Sequence, residues 1–150
     1  RSSSAPRRKR RPGSSTKWFP ISPGSIASSY YPGVALNDRC LFCRIVAGDI
    51  PAKKAYEDDE VVAFHDINPQ APIHVLIIPR KHIASLDELT EGDALTAGTV
   101  IVRAAKIARA LHLESDGYRL VVNMGEAAGQ TVFHIHVHIL GGRTFGWPPG

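Results

Sequence analysis

The chain has 150 residues, 43% of them hydrophobic, which is enough for one domain with a single core and too short for two ordinary domains. Residues 1–39 carry eight of the 18 basic residues and only one of the 14 acidic ones, so the net charge of +4 becomes −3 over residues 40–150. An acidic domain argues against a specific nucleic-acid partner, and no apolar run approaches the roughly 20 residues of a membrane span, so we expect a soluble protein.

The N-terminal segment, residues 1–36, is rich in Ser, Pro, Gly and Arg and shows no helical or strand periodicity. We expect a disordered basic tail here and a folded domain over residues 37–150. The basic cluster RRKRR leaves two targeting interpretations open, a mitochondrial transit peptide and a nuclear signal; otherwise the cytoplasm is expected. Met124 is the only methionine, so we expect a fragment, a processed form or an uncertain gene start.

The first half of the domain contains one short apolar stripe and three strand patterns. Phe42, Ile45 and Val46 predict an N-terminal helix or turn, which the Gly and Pro of residues 48–51 end. Strands are predicted at 53–57, 61–66 and 73–78. The last of these is apolar on both faces, so we expect it to be central.

The second half contains the principal helix and two more strands. Ser85 and Glu88 have the spacing of a capping box and predict a short helix, and Thr90 with Asp93 predicts the start of a long one. Its apolar face is predicted from residues every three to four positions: Ala94, Ala97, Ile101, Ala104, Ala108 and Leu111. Strands at 118–123 and 132–140, joined by a glycine-containing loop, complete an α+β fold: about five antiparallel strands, one long helix and one or two short ones.

Three histidines alternate with aliphatic residues in the last predicted strand. Side chains alternate between the faces of a strand, so the three imidazoles are predicted to line one face. Imidazole suits nucleophilic, acid–base or metal-binding roles at pH 7, and a row of three has few purely structural explanations. The alternating residues are His134, Ile135, His136, Val137, His138 and Ile139.

The loop before these histidines predicts a phosphate site. Gly129, Gln130 and Thr131 would offer backbone N–H groups and a hydroxyl close to the imidazoles. The middle histidine, His136, is the candidate nucleophile, with the proton on its other ring nitrogen held by a backbone carbonyl. His138 would donate a hydrogen bond to a phosphate oxygen.

These residues carry a family resemblance over about residues 40–150. The pattern His, apolar, His, apolar, His, apolar, apolar resembles the signature of the histidine triad (HIT) superfamily, and GQTVFHIHVHILGGR, VVAFHDINPQAP and WPPG are similar to its Hint branch. The resemblance implies a HIT-like sheet extended across a homodimer and catalysis that requires no cofactor. It also implies a catalytic set of His136, His138, His134 and His74, with His74 as an acid–base partner near the phosphate.

The resemblance further implies a purine nucleotide site. Asp66 would receive the ribose hydroxyls and Asn123 would face the phosphate, although the sequence alone makes each an equally good turn residue. Thr131 stands where Ser is common and Phe133 where Tyr is common. The implied nucleotide-binding residues are Phe42, Ile45, Phe64, His65, Asp66, Ile67, Leu76, Asn123, Gly129, Gln130, Thr131, Val132 and Trp147.

The two cysteines form a single C-x-x-C whose use the sequence leaves open between a redox pair, half of a metal site and coincidence. Cys40 and Cys43, with His82 and His134, resemble the zinc site of several HIT branches, and two thiolates with two imidazoles suit tetrahedral zinc. Many proteins of the Hint branch lack the cysteines, so a zinc ion here would be structural.

The C-terminal residues 141–150 are too rich in Gly and Pro for regular structure, but they contain two aromatic residues that would be poor choices for a free tail. We expect the segment to dock. The resemblance implies that Trp147 reaches the active site of the neighbouring subunit and helps to choose the leaving group.

Three functions follow from these patterns. The leading hypothesis, favoured by GGR and WPPG, is a phosphoramidase that hydrolyses the P–N bond of purine nucleoside 5′-phosphoramidates, of the AMP-NH2 or AMP-lysine type, through a covalent nucleotidyl-histidine. The first alternative is a dinucleoside polyphosphate hydrolase or nucleotidyltransferase that uses the same histidine. The second is a nucleotide-binding regulatory scaffold whose cellular role is protein contact.

Overall fold

The computed structural model describes residues 17–18, 37 and 39–149. The strands are β1 (Lys17–Trp18), β2 (Lys54–Glu57), β3 (Val61–His65), β4 (Ile73–Pro79), β5 (Tyr118–Val121) and β6 (Val137–Gly141). The helices are α1 (Leu41–Ala47) and α2 (Ala94–Ala110), with single 3-10 turns at Leu86–Glu88, Glu91–Asp93 and Glu126–Ala128. The tail expected to be disordered lies outside the described residues except at β1.

The strands form one antiparallel sheet in the order β1-β2-β3-β4-β6-β5. The predicted α+β class and the five predicted strands are confirmed, and β4 is interior as expected. The two-residue strand β1, which pairs with β2, was not predicted, because a pair of residues in a polar tail carries no periodicity. No helix in the described part of the chain has the length and apolar content to cross a membrane.

The two helices lie on opposite faces of the sheet. On one face Ala63, Val75 and Ile139 pack against α2, whereas on the other Val62, Phe64 and Leu76 pack against α1. This division follows from the alternation of side chains along β3 and β4. His138 pairs with Leu76 across the β4–β6 ladder and therefore belongs to the α1 face.

The α2 helix begins after a 3-10 turn, because the carboxylate of Asp93 accepts hydrogen bonds from the Thr90 amide at 3.1 Å and its hydroxyl at 2.7 Å. The predicted start at Thr90 is therefore correct, but Ser85 makes no side-chain cap to the turn that follows it. The predicted inward face is partly wrong. Ala94 and Ile101 are exposed, and the buried positions are Val100, Ala104, Ile107 and Ala108, since apolar residues cover more than one side of this helix.

The last strand is shorter than predicted, since it begins at Val137 rather than at residue 132. The residues before it use other backbone partners: the His134 amide donates to the Val132 carbonyl at 2.9 Å and the Ile135 amide to the Ile83 carbonyl at 2.7 Å. Two of the three histidines therefore precede the ladder in an irregular segment, which contacts between side chains and backbone hold in place.

His112 follows the C-terminal end of α2 with φ of +57°, a left-handed conformation that costs a residue with a Cβ about 1 kcal/mol. Substitution His112→Gly should therefore raise the free energy of unfolding by up to about 1 kcal/mol, less the extra chain entropy of glycine. Urea denaturation of both proteins measures this difference. The neighbouring substitution Glu114→Gly, at an exposed site without positive φ, is the control and should destabilise.

Candidate functional site

The candidate nucleophile is held in one tautomer by the main chain. Nδ1 of His136 lies 2.7 Å from the carbonyl oxygen of His134, so Nδ1 carries the proton and donates it. Nε2 is then the atom with the free lone pair, and no described residue hydrogen-bonds to it. The ring is 5% exposed, and Phe42 packs edge-on against it with centroids 5.2 Å apart. This is the arrangement that nucleophilic attack by an imidazole needs.

A second pair of imidazoles, His74 and His138, forms a histidine relay beside the nucleophile. The Gln70 amide donates to Nδ1 of His74 at 3.1 Å, so the proton of neutral His74 is on Nε2. That nitrogen lies 2.9 Å from Nδ1 of His138 and donates to it. The proton of His138 is therefore on Nε2, which is buried without a hydrogen-bond partner.

The relay is neutral near pH 7. Burial lowers the pKa of His138 to about 4, with a further contribution from the charge of a protonated His136. Burial also lowers the pKa of His74, against the opposing effect of Asp66, whose Oδ2 lies 3.4 Å from Nε2. Since the rings of His136 and His138 are 5.0 Å apart, the unpartnered N–H of His138 is available next to the nucleophile.

The loop before the triad differs from the expected phosphate cradle. The amides of Gly129 and Gln130 both donate within the loop, to Glu126 and Gly125 respectively, so neither is free for a phosphate. The Gln130 side chain is 1% exposed and bonds to Gly125, Ala84 and Val132. Gln130 therefore shapes the loop, and both its side chain and its backbone amide have partners within the described residues.

The backbone N–H groups of this loop that lack an acceptor belong to the next residues along the chain. Within the described residues no acceptor meets the amides of Thr131, Val132 and Phe133. Gly129 has φ of +92°, and a Cβ there would lie 3.5 Å from Nδ2 of Asn123, so the Asn123 side chain lies against this loop. The free backbone donors of the site are thus residues 131–133.

The aromatic and aliphatic residues of the expected nucleoside pocket lie on the α1 face. Four of them, Phe42, Ile45, Phe64 and Leu76, are buried in the core between α1 and the sheet. The others lie at the end of β3 and just after it: His65 is the last residue of the strand, Asp66 and Ile67 follow it, and Ile67 is fully exposed. Burial lowers the pKa of His65, with a further contribution from Lys53. Asp66 acts as a turn residue, since its Oδ1 accepts from the Asn68 amide at 2.8 Å.

The four predicted metal ligands converge into one group, the Cys–His cluster of Cys40, Cys43, His82 and His134. Their ligand atoms all lie within 4.8 Å of one another. Cys43 Sγ lies 3.2 Å from His82 Nδ1 and 3.6 Å from His134 Nδ1, and the two Nδ1 atoms are 3.3 Å apart. Tetrahedral zinc with ordinary bond lengths separates sulfur from nitrogen by about 3.5 Å and two nitrogens by about 3.3 Å. The group therefore fits a zinc ion.

His134 belongs to this cluster and offers nothing to a substrate. Its Nε2 donates to the Pro79 carbonyl at 2.9 Å, which leaves Nδ1 unprotonated and directed at the sulfurs. Burial lowers its pKa to about 4, and the side chain is fully buried. The geometry does not support the expected catalytic role of His134. A metal bound here would link α1 to the segment that carries the nucleophile.

A profile of the HIT domain matches residues 47–145. The chain belongs to the HIT family. An HIT-like protein of Synechocystis is 49% identical over 110 residues, which cover 73% of this chain and 96% of the relative. One from Synechococcus elongatus is 44% identical over 115 residues, 77% of this chain and 100% of the relative.

Solved structures of the HIT family have the same fold. An HIT family hydrolase from Legionella pneumophila is 50% identical with a TM-score of 0.73, covering 75% of this chain and 100% of that one. A histidine triad nucleotide-binding protein from Candida albicans is 33% identical with a TM-score of 0.63, over 73% of this chain and 82% of that one. This chain therefore shares both its sequence pattern and its fold with these HIT proteins over most of their length.

Sequence reasoning missed the main-chain partners of this HIT site. Gln70 contributes its amide to His74, and Pro79 and Ile83 contribute carbonyls to the triad segment. Main-chain groups carry no residue-type signal. The one available hint was the Pro-rich stretch at residues 68–72, which marks a fixed turn directly before His74.

Proposed function

We propose that this HIT protein hydrolyses purine nucleoside 5′-phosphoramidates, as the similarity of its GGR and WPPG segments to the Hint branch suggests. The observation that carries the proposal is the pairing of an unprotonated Nε2 on His136 with an unpartnered N–H on His138. One atom is a nucleophile for phosphorus and the other a donor for a phosphate oxygen. The similarity to an HIT family hydrolase supports hydrolysis as the reaction, and the similarity to a histidine triad nucleotide-binding protein supports a nucleotide as the substrate.

The proposed reaction proceeds in two displacements. In the first, Nε2 of His136 bonds to phosphorus, the P–N bond breaks, and the amine leaves with a proton taken from solvent water, while the N–H of His138 donates to a phosphate oxygen. In the second, water attacks phosphorus, the P–Nε2 bond breaks, and the proton from the attacking water is released to solvent. The proton on Nδ1 of His136 stays there throughout and donates to the His134 carbonyl, so that hydrogen bond stabilises the ring charge that develops on attack.

The proposed nucleoside pocket lies at the rim of β3. Phe42, Phe64 and Leu76 form its buried floor, and the fully exposed Ile67 would cover a purine base. Oδ1 of Asp66 accepts a hydrogen bond from the Asn68 amide in a turn, and Oδ2 lies near His74. The ribose hydroxyls would therefore bind Asp66 beside the relay. Thr131 would add its hydroxyl to the free amides of residues 131–133.

The test is steady-state hydrolysis of adenosine 5′-phosphoramidate compared with diadenosine polyphosphates. Release of AMP and amine at a much higher kcat/KM from the phosphoramidate supports the proposal. Preference for the polyphosphate would assign the same histidine to the alternative hydrolase. No turnover of either substrate, with nucleotide binding retained, would favour the regulatory scaffold.

We also propose that the protein is a homodimer. Strand β5 is at an edge of the sheet, and the neighbouring α2 exposes Leu95 (82%) and Val102 (59%). An apolar cavity of about 150 Å³ lies between α2 and the residues around Val122 and Ile135. An open strand edge beside exposed apolar side chains is typical of a surface that pairs with a second copy.

Substitution Val102→Asp should therefore convert the dimer to a monomer, because it places a charge on the proposed contact. Sedimentation velocity measures the mass directly. Leu41→Asp, on the exposed side of α1 away from this surface, is the matched control and should leave a dimer. A wild-type protein that sediments as a monomer at micromolar concentration would contradict the proposal.

A further inference from the structure

The relay depends on one exposed loop, residues 66–72, between β3 and β4. The Gln70 amide of this loop fixes the tautomer of His74, and through it the side on which His138 carries its proton. Most of the loop is exposed. Besides a bond from the Asp66 amide to the His74 carbonyl at 3.0 Å, its other hydrogen bonds are internal, from the Asn68 amide to Asp66 and from the Gln70 side chain to Asn68. The tautomer of His74 therefore depends on contacts that keep this exposed loop in place.

The C-terminal arm, residues 142–149, holds it. Nε of Arg143 donates to the Gln70 carbonyl at 3.3 Å, which is the one described side-chain hydrogen bond that reaches this loop from outside β4. The arm also passes close against the loop at Gly142, where a Cβ would lie 3.0 Å from Pro72. Both segments meet at the same end of the sheet, because β4 and β6 are antiparallel neighbours.

Arg143 is itself held in place by an aromatic contact. Its guanidinium lies 4.2 Å from the centre of the Phe145 ring, and the guanidinium of Arg119 lies 5.0 Å from the same centre. Arg119, on the edge strand β5, also donates to the Gly146 carbonyl at 2.7 Å. One cation–π contact and one charged hydrogen bond from Arg119 thus fix the arm to the sheet within a single subunit, and the Arg143–Phe145 contact orders the arm itself.

We infer that Arg143 is a positioning residue for the reaction, which acts through Gln70 on the His74–His138 relay. The inference rests on the proposed function. The path is continuous: Arg143 donates to the Gln70 carbonyl, the Gln70 amide donates to His74, His74 donates to His138, and His138 presents its N–H to the substrate. Arg143 hydrogen-bonds to Gln70 and Thr144 and not to His136 or the relay histidines, so its contribution is to the chemical step through the donor it orients.

The test combines kinetics with a double-mutant cycle on the full chain. Arg143→Ala should lower kcat for adenosine 5′-phosphoramidate by about 5- to 20-fold with little change in KM, as expected for loss of one charge-assisted hydrogen bond. Arg143→Lys, which keeps a cationic donor, should recover part of the loss. In a His74→Gln background, Arg143→Ala should have almost no further effect. Arg109→Ala, at an exposed site near the end of α2, is the control.

A second measurement does not depend on activity. The ¹⁵N shifts of histidine rings distinguish protonated from unprotonated nitrogens, so wild-type His74 should show a proton on Nε2 alone. In Arg143→Ala the two tautomers should mix. The inference is overturned by a wild-type kcat in Arg143→Ala, by an effect confined to KM, or by an undiminished effect in the His74→Gln background. A wild type without turnover contradicts the proposed function instead, and an unchanged His74 tautomer in Arg143→Ala would then overturn the inference by itself.

Discussion

Substitution His136→Ala should lower the turnover of adenosine 5′-phosphoramidate by about four to six orders of magnitude, the usual consequence of removing a covalent nucleophile. The reason is specific to one atom. Nε2 of His136 is the ring nitrogen near the relay that carries a free lone pair, because Nδ1 donates to the His134 carbonyl and the relay nitrogens are engaged or protonated. No other described group in the site can replace it as a nucleophile.

Two controls separate loss of the nucleophile from loss of structure. His136→Gln keeps most of the side-chain volume against Phe42, so it should fold like the wild type and be equally inactive. His112→Ala, at an exposed histidine outside the site, should retain full activity. Mass spectrometry of the acid-quenched wild type should detect an added nucleotidyl group that both His136 variants lack. Residual activity within 100-fold of the wild type in either His136 variant would rule out a covalent histidine.

The second large effect is expected at the Cys–His cluster. Protein purified without chelator should contain about one zinc ion per chain, and Cys43→Ser should contain almost none, since the substitution removes a buried thiolate from the set of four ligands. Loss of the metal should also lower stability. A ligand that binds only the native state contributes about 4 kcal/mol when its free concentration is 1,000-fold above Kd.

Elemental analysis and thermal denaturation measure the two parts of this prediction. A chelator should lower the Tm of the wild type and leave the Tm of Cys43→Ser unchanged, because that variant has no metal to lose. A wild type with well under one equivalent of zinc, and with a Tm that a chelator does not move, would show that the cluster folds as two thiols and two imidazoles without metal.

The geometry of the Cys–His cluster predicts which parts of the structure change when the cluster is disrupted. His134 contributes its Nδ1 to the cluster and its carbonyl to the nucleophile, and Phe42 lies between the two cysteines in sequence and against His136 in space. The α1 helix and the irregular triad segment therefore depend on the same contacts. This explains why residues 132–136 need no strand partners to be well placed.

Much of the fold was predictable from residue patterns. The apolar runs at 61–66 and 73–78 predicted two strands, and the interior position of β4 followed from its continuous apolar run. The orientation of α2 was predicted less well, since Leu95, Ile101 and Val102 make its apolar surface too wide to indicate one face. Which part of that surface meets the sheet is decided by packing alone.

The candidate site, like the fold, was predictable from the sequence only in part. The sequence by itself determined which residues are candidates for the chemistry and suggested a task for each, because three alternating histidines and a C-x-x-C are patterns of residue type. Only the tertiary structure fixed which ring nitrogen of each histidine is engaged: His134 directs Nδ1 at the Cys–His cluster, His136 has the free lone pair on Nε2, and His138 has the unpartnered N–H. The physical reason is that a neutral imidazole has one donor and one acceptor nitrogen, and its neighbours decide which is which. Here those neighbours include the main-chain groups of Gln70, Pro79 and His134, whose positions no pattern of side chains encodes.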